Sequence, residues 1–443
     1  MAQDWRRMSA AALGRGIAAG QIDPVALCEA FLDAIAADDP DGRIYARTMP
    51  DRARAQAQGA ASRARAGVLR GPLDGVPVSW KDLVDIAGTG CESGSQLLAG
   101  RVPTRDAYVV QLAEAAGVVS LGKTHLSELA FSGLGYNPMT ATPPHATNPD
   151  AVPGGSSSGA AASLAFGLAG LAVGSDTGGS VRLPAGWNDL VGLKTTSGRV
   201  SLKGVVPLCA RFDTIGPLAR TVEDAALMLA ALEGSTVPDL RGARLSGMRL
   251  AVLETVALDD LDPKQAQAFE GALARLEAGG AHLTRFTVPE LPDAMGLAPT
   301  LYPAEAWGTW GEVISANPDR MYDRVRERFE GGKGISGPDF VAAWQRLNGL
   351  RADWTECVAA FDAVILPTTA NVPPPVARIA ADPDFYVAQN LLALRNTRIG
   401  NLMGGCSLTI PTGVPSCGLM MMTPPMQEAR LLCLGAAAES ALA

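Results

Sequence analysis

The chain has 443 residues, of which 47% are hydrophobic and 19% charged, with a formal net charge of −8. That length can bury a large core, and the composition excludes a disordered or fibrous protein. The acidic balance excludes the broad basic footprint of a nucleic-acid-binding surface.

The chain opens helically. Ser9 is placed to cap a helix over residues 10–19, which Gly20 ends. Asp23 followed by Pro24 is an N-cap with proline at the first helical position, opening a helix over 25–36. Residues 52–66, rich in Ala and Arg, read as a third helix. The apolar run Val76-Pro77-Val78-Ser79-Trp80 reads as a strand delivering Lys81. Residues 108–116 read as helix, stopped by Gly117, and 118–121 as strand. Residues 160–166 are small and apolar, as in a buried helix, and 171–175 read as a strand. Arg249–Leu253 is a further strand and Pro263–Ala278 a helix. Residues 361–367, 408–411 and 419–422 read as strands, and 429–442 close the chain as a helix. Alternation of this kind predicts a layered α/β protein. No internal repeat or low-complexity tail interrupts it, so residues 1–443 are expected to form one domain.

The seven cysteines (Cys28, Cys91, Cys209, Cys357, Cys406, Cys417 and Cys433) are dispersed, with no Cys-x-x-Cys pair. That pattern fits reduced thiols in a cytoplasmic enzyme better than a disulfide framework or a zinc site. No apolar segment follows Met1-Ala2-Gln3-Asp4-Trp5-Arg6-Arg7, so no signal peptide is expected. No run of about 18 apolar residues suggests a transmembrane helix.

Three places carry chemistry. Lys81 leaves an apolar strand, where desolvation can lower its pKa and make it a base; alone it reads equally as a surface lysine paired with Asp82 or Asp85. Ser156 sits in Pro153-Gly154-Gly155-Ser156-Ser157-Ser158-Gly159, which also has the composition of a flexible linker. The small apolar residues after it argue for tight packing instead. Ser180 ends Asp176-Thr177-Gly178-Gly179-Ser180. Such a turn can converge successive N–H groups on an oxyanion, although an ordinary Gly-rich turn looks the same.

Two other patterns are decoys. Gly155-Ser156-Ser157-Ser158-Gly159 matches a nucleophile elbow, but Val152-Pro153-Gly154 is a poor strand and only His282 lies downstream. Ser120-Leu121-Gly122-Lys123 matches Ser-x-x-Lys, but it follows a strand-like run rather than opening a helix. No dinucleotide fingerprint, P-loop or metal-ligand cluster is visible.

In combination the three places resemble the amidase signature family of serine amidohydrolases. The match covers nearly the whole chain and is densest over residues 71–217, through Leu73-Asp74-Gly75-Val76-Pro77, Gly122-Lys123-Thr124, Gly192-Leu193-Lys194 and Gly216-Pro217. The resemblance implies an α/β fold, a single large domain with a central twisted mixed β-sheet covered by helices on both faces. It implies Ser180 as nucleophile, Lys81 as general base and Ser156, after a cis peptide bond, as proton relay. Backbone N–H groups of Thr177, Gly178, Gly179 and Ser180 would hold the oxyanion, with Asp176 and Arg182 supporting the loop. Ala130, Phe131 and Ser132 match a segment lining the acyl pocket, and the region around residues 295–339 helps to line the pocket.

The reaction implied is hydrolysis of a carboxylic amide through an acyl-enzyme, with no metal and no cofactor. The partner is a small-molecule amide, with neither nucleic acid nor membrane involved; homodimers are common in such enzymes. Two departures from the family pattern are His125, where Asn is usual, and Ser158, often Gly. The alternative is the glutamine-hydrolysing A subunit of a tRNA-dependent amidotransferase. Such proteins typically carry Met and Gly where this chain has Phe131 and Ser132, so the stretch looks more like a stand-alone enzyme.

Overall fold

Among the residues that the computed structural model describes, 5–443, eleven strands form one mixed sheet. The expectation about the N-terminal segment falls partly on residues 1–4, outside that range. In chain order the strands are β1 (Tyr45–Thr48), β2 (Pro77–Lys81), β3 (Val119–Thr124), β4 (Leu171–Asp176), β5 (Val191–Lys194) and β6 (Thr214–Ala219). They continue as β7 (Arg249–Leu253), β8 (His282–Phe286), β9 (Ala363–Pro367), β10 (Cys406–Pro411) and β11 (Gly418–Thr423). Their order across the sheet is β1-β3-β2-β4-β6-β5-β10-β11-β9-β7-β8.

Parallel blocks sit toward the two ends of the sheet. β3, β2 and β4 run parallel, as do β9, β7 and β8. The strands between them pair antiparallel. Parallel strands need long crossovers, and here those are mostly helical. Helices flank the sheet, and every residue of β2, β3 and β4 is buried.

Local chemistry sets the helix starts. The Ser9 side chain accepts from the Ala12 N–H at the head of Ala10–Ala18. Asp23 accepts from Val25 and Ala26 at the head of Pro24–Asp38. Both caps lie where the sequence predicts them.

The sequence reading assigns no elements between residues 279 and 360. The structure places there β8 and the helices Leu291–Gly296, Ala298–Ala316, Asp323–Glu330 and Gly337–Val358. The helix Pro383–Leu402 then runs back toward the loop after β4. A separate apolar cluster of Leu134, Val152, Leu183, Trp187, Tyr386 and Leu394, among others, locks that helix onto the segments around the site.

Candidate active site

β2 and β4 are parallel neighbours, with Trp80 opposite Val173. Their C-terminal ends therefore lie side by side, the place where open α/β sheets hold ligands. β2 ends at Lys81, and β4 ends at Ser175 and Asp176. Lys81 has no solvent exposure (0%). Its Nζ donates to Ser156 Oγ at 2.7 Å and to Ser175 Oγ at 2.8 Å. Burial pushes the Lys81 ammonium down to about 7, against the opposing pull of Asp176 and Asp213. In the sequence Ser175 is an ordinary strand serine; only the pairing of β2 with β4 reveals its part in the site.

The Gly155–Ser156 peptide bond is cis, and the chain then enters the helix Ser158–Ala165. This loop lies directly on β4. A Cβ at Gly174 would come within 2.6 Å of Ser157 Oγ, so the close approach needs glycine there. The Ser157 N–H donates to the Ser180 carbonyl at 3.2 Å, tying the two serine loops together. Ser157 Oγ donates to the Ser175 carbonyl at 3.2 Å.

Ser180 is 4% exposed and lines a cavity of about 460 Å³. Among the described residues its hydroxyl makes no hydrogen bond, and none joins it to Ser156 Oγ. The structure thus brings Lys81 and Ser156 into contact and leaves the Ser180 hydroxyl open to the cavity.

Asp176 organises the turn that carries Ser180. Its Oδ1 accepts from the Gly179 N–H at 2.9 Å, and its Oδ2 from the Val181 N–H at 3.1 Å. Arg182 forms a fully buried ion pair with it at 2.9 Å, and Asn401 Nδ2 adds a bond at 2.9 Å. Burial would raise the Asp176 carboxyl, but Arg182 and Asn401 hold it well below the usual carboxylate range. Gly179 has φ +137, and a Cβ there would overlap the Thr397 side chain. The turn therefore requires glycine on both conformational and steric grounds.

The Gly179 N–H is directed at Asp176 Oδ1 rather than at the cavity. The N–H groups of Thr177, Gly178 and Ser180 have no partner among the described residues. A Cβ at Gly178 would meet nothing within 4 Å, so that part of the turn faces open space. The Thr177 hydroxyl donates to Asp213 Oδ1 at 2.6 Å, a second anchor that the sequence does not disclose.

The Asp176–Arg182 pair yields a stability prediction. Asp176→Ala would strand a guanidinium that has no solvent exposure. Removing one member of a buried pair typically costs about 3–5 kcal/mol. Denaturant unfolding of the variant should show a loss of that size, and a loss below about 1 kcal/mol would mean that the pair does not hold the turn.

Ala130, Phe131 and Ser132 form part of the same cavity wall. The Ser132 hydroxyl accepts from Tyr386 OH at 2.9 Å and donates to Asn390 Oδ1 at 3.2 Å. The helices Ala298–Ala316 and Asp323–Glu330 supply the facing wall, including Ala298, Tyr302 and Arg328. His125 is not in that wall. Its Nε2 lies 3.1 Å from the Gly42 carbonyl, and burial holds its pKa below the usual value. Among the described residues, no group of three or more His, Cys, Asp or Glu is placed to hold a metal ion. No helix among them is long and apolar enough to cross a membrane.

Comparison with known proteins gives consistent matches. The family model described as Amidase matches residues 26–432. The 2-amino-5-chloromuconic acid deaminase of Comamonas testosteroni is 37% identical over 422 residues, covering 90% of this chain and 91% of that protein. The A subunit of the glutamyl-tRNA(Gln) amidotransferase of Salinispora arenicola is 32% identical over 488 residues, covering 99% and 98%. Among solved structures, the native peptide amidase of Stenotrophomonas maltophilia superposes with a TM-score of 0.83 at 28% identity, covering 98% of this chain and 96% of that one.

Proposed function

The chain belongs to the amidase family, and from that premise we propose that it hydrolyses a carboxylic amide to acid and ammonia or amine through an acyl-enzyme on Ser180. The observation that carries this reading is the buried Lys81 Nζ 2.7 Å from Ser156 Oγ, beside a serine that opens on a cavity. A lysine pushed down to about 7 is neutral often enough near neutral pH to accept a proton.

In the forward half, neutral Lys81 takes the proton of Ser156 as Ser156 takes that of Ser180. Ser180 Oγ attacks the amide carbon. The carbonyl oxygen becomes an oxyanion facing the N–H groups of Thr177, Gly178 and Ser180. Such fixed donors are worth about 10²–10³-fold each in rate, because they need no reorganisation when charge develops. The intermediate collapses as Ser156 returns a proton to the leaving nitrogen and Lys81 restores that of Ser156. Water, deprotonated by the same relay, then cleaves the ester.

Seven unpaired thiols support a reducing, cytoplasmic setting. A second reading, the glutamine-hydrolysing A subunit of a tRNA-dependent amidotransferase, draws on the 32% identical relative. Phe131 and Ser132 in the cavity wall favour the stand-alone reading. Ammonia release from a panel of amides, with Ser180→Ala as blank, tests both. Turnover of glutamine alone, dependent on a partner protein, would reverse the preference.

This chemistry uses no metal. Incubation with EDTA, followed by desalting, should leave kcat unchanged. Loss of activity that a divalent ion restores would defeat the Ser–Ser–Lys reading.

A further inference from the structure

Two guanidinium groups in the wall of the Ser180 cavity have no acidic partner. Arg328 comes from the helix Asp323–Glu330 and Arg398 from the helix Pro383–Leu402. Among the described residues neither makes a hydrogen bond or an ion pair. The contrast within one helix is informative. Arg324 bonds Glu327 at 3.2 Å, and Arg326 bonds Asp323 at 3.0 Å. Acids are therefore plentiful on that helix, yet Arg328 takes none of them. Its Nε is buried without a partner, and its guanidinium lies 4.6 Å over the Phe131 ring.

The rest of the cavity sharpens the point. The hydroxyl of Tyr302 is also buried and unpartnered, and its ring is fixed by stacking on Phe212 at 4.4 Å. Glu327 is the one carboxylate in the cavity wall among the described residues, and it is drawn to Arg324. Leu391 and Leu394 add an apolar stretch of wall. The cavity therefore offers two cations and a hydroxyl, unanswered, beside a hydrocarbon surface. Burial lowers both guanidinium pKa values, and the Arg328 value of about 10 keeps it cationic at neutral pH. Unpaired charges in such a place are costly, and a bound anion removes the cost. Arginine forks match the two oxygens of a carboxylate.

We propose that the substrate is a monoamide of a dicarboxylic acid, whose free carboxylate is held by Arg328 and Arg398 while its amide carbonyl lies at Ser180. The inference rests on the amidase reading above. The carboxylate belongs on the acyl side, because Arg328 stacks on Phe131, in the segment assigned to the acyl pocket. The products are then ammonia and a dicarboxylate.

The test compares ammonia release from succinamate, glutaramate and adipamate with release from their neutral diamides. For the best chain length, kcat/KM should favour the monoamide by about 10–100-fold, as charge-assisted hydrogen bonds allow. Arg398→Met and Arg328→Met should collapse that ratio toward one; a ratio needs no assumption about how much enzyme is folded. In the wild type, the matching dicarboxylate should inhibit competitively and more strongly than a monocarboxylate of equal length. Labelling of Ser180 by a neutral fluorophosphonate tests the nucleophile separately. Without labelling, the amidase reading itself fails. With labelling, a wild type that prefers diamides, or that no dicarboxylate inhibits, overturns the carboxylate assignment alone. Variants that keep the wild-type ratio overturn the role of these two arginines.

Discussion

Ser180→Ala should lose amide turnover by about 10⁴-fold or more, as when one member of a cooperating catalytic set is removed. The fold should survive, because the Ser180 hydroxyl makes no hydrogen bond among the described residues. Its removal strands no partner, so denaturant stability should stay within about 0.5 kcal/mol of wild type. The backbone donors of Thr177 and Gly178 remain in place. Substrate should therefore still bind, and an unreacted amide should be recoverable from the complex. Turnover near the wild-type rate would move the nucleophile elsewhere. Ser157 would be the first suspect, but its Oγ is already engaged with the Ser175 carbonyl.

The second large effect concerns pH. Burial pushes Lys81 down to about 7, although Asp176 and Asp213 pull the other way. Below that pH the ammonium form dominates and cannot accept the proton of Ser156. The wild-type kcat/KM should therefore rise through about pH 7 and flatten above it. Lys81→Ala should lose most activity and this limb together. Persistence of the same limb at a comparable rate would make Lys81 structural only. A matching signature is expected in stability. The unfolded chain protonates this lysine below about 10.4, and the folded chain only below about 7. Between those values the unfolded state binds more protons, so stability should climb with pH. Lys81→Met, which keeps the bulk, should lack that slope.

The motif loops are legible in the sequence because their chemistry is local. Gly154, Gly155, Gly178 and Gly179 mark tight turns, and Lys81 ends an apolar run. Strands β2, β4, β7, β9, β10 and β11 are legible as apolar runs. β5 and β6 are not, since Gly192, Gly216 and Pro217 disguise them. The edge strand β8 reads His-Leu-Thr-Arg-Phe and is largely solvent-facing, so it carries little apolar signal. In the helices between residues 291 and 402, Pro292, Pro299, Pro338 and Pro383 look like breakers. Each lies in a first turn, where a missing N–H is harmless. Without those helices, Tyr302, Arg328 and Arg398 cannot be placed at the site. Ser175 and Asp213 escape for a different reason. Their partners, Lys81 and Thr177, are chosen by strand pairing and loop closure, not by spacing along the chain.

The bonding of Arg182 bears on when the enzyme becomes competent during synthesis. Lys81, Ser156 and Ser180 all lie in the first half of the chain. Yet Arg182 donates to the Thr397 carbonyl and Asn401 Oδ1, both at 2.6 Å, across more than 200 residues of sequence. Until the last quarter of the chain arrives, the guanidinium lacks these acceptors and the turn lacks the helix against which Gly179 is packed. Closing so long a loop is slow compared with forming local structure. A nascent chain thus carries Lys81, Ser156 and Ser180 well before it can form the contacts that fix the turn bearing Ser180, because those contacts come from residues translated more than 200 positions later.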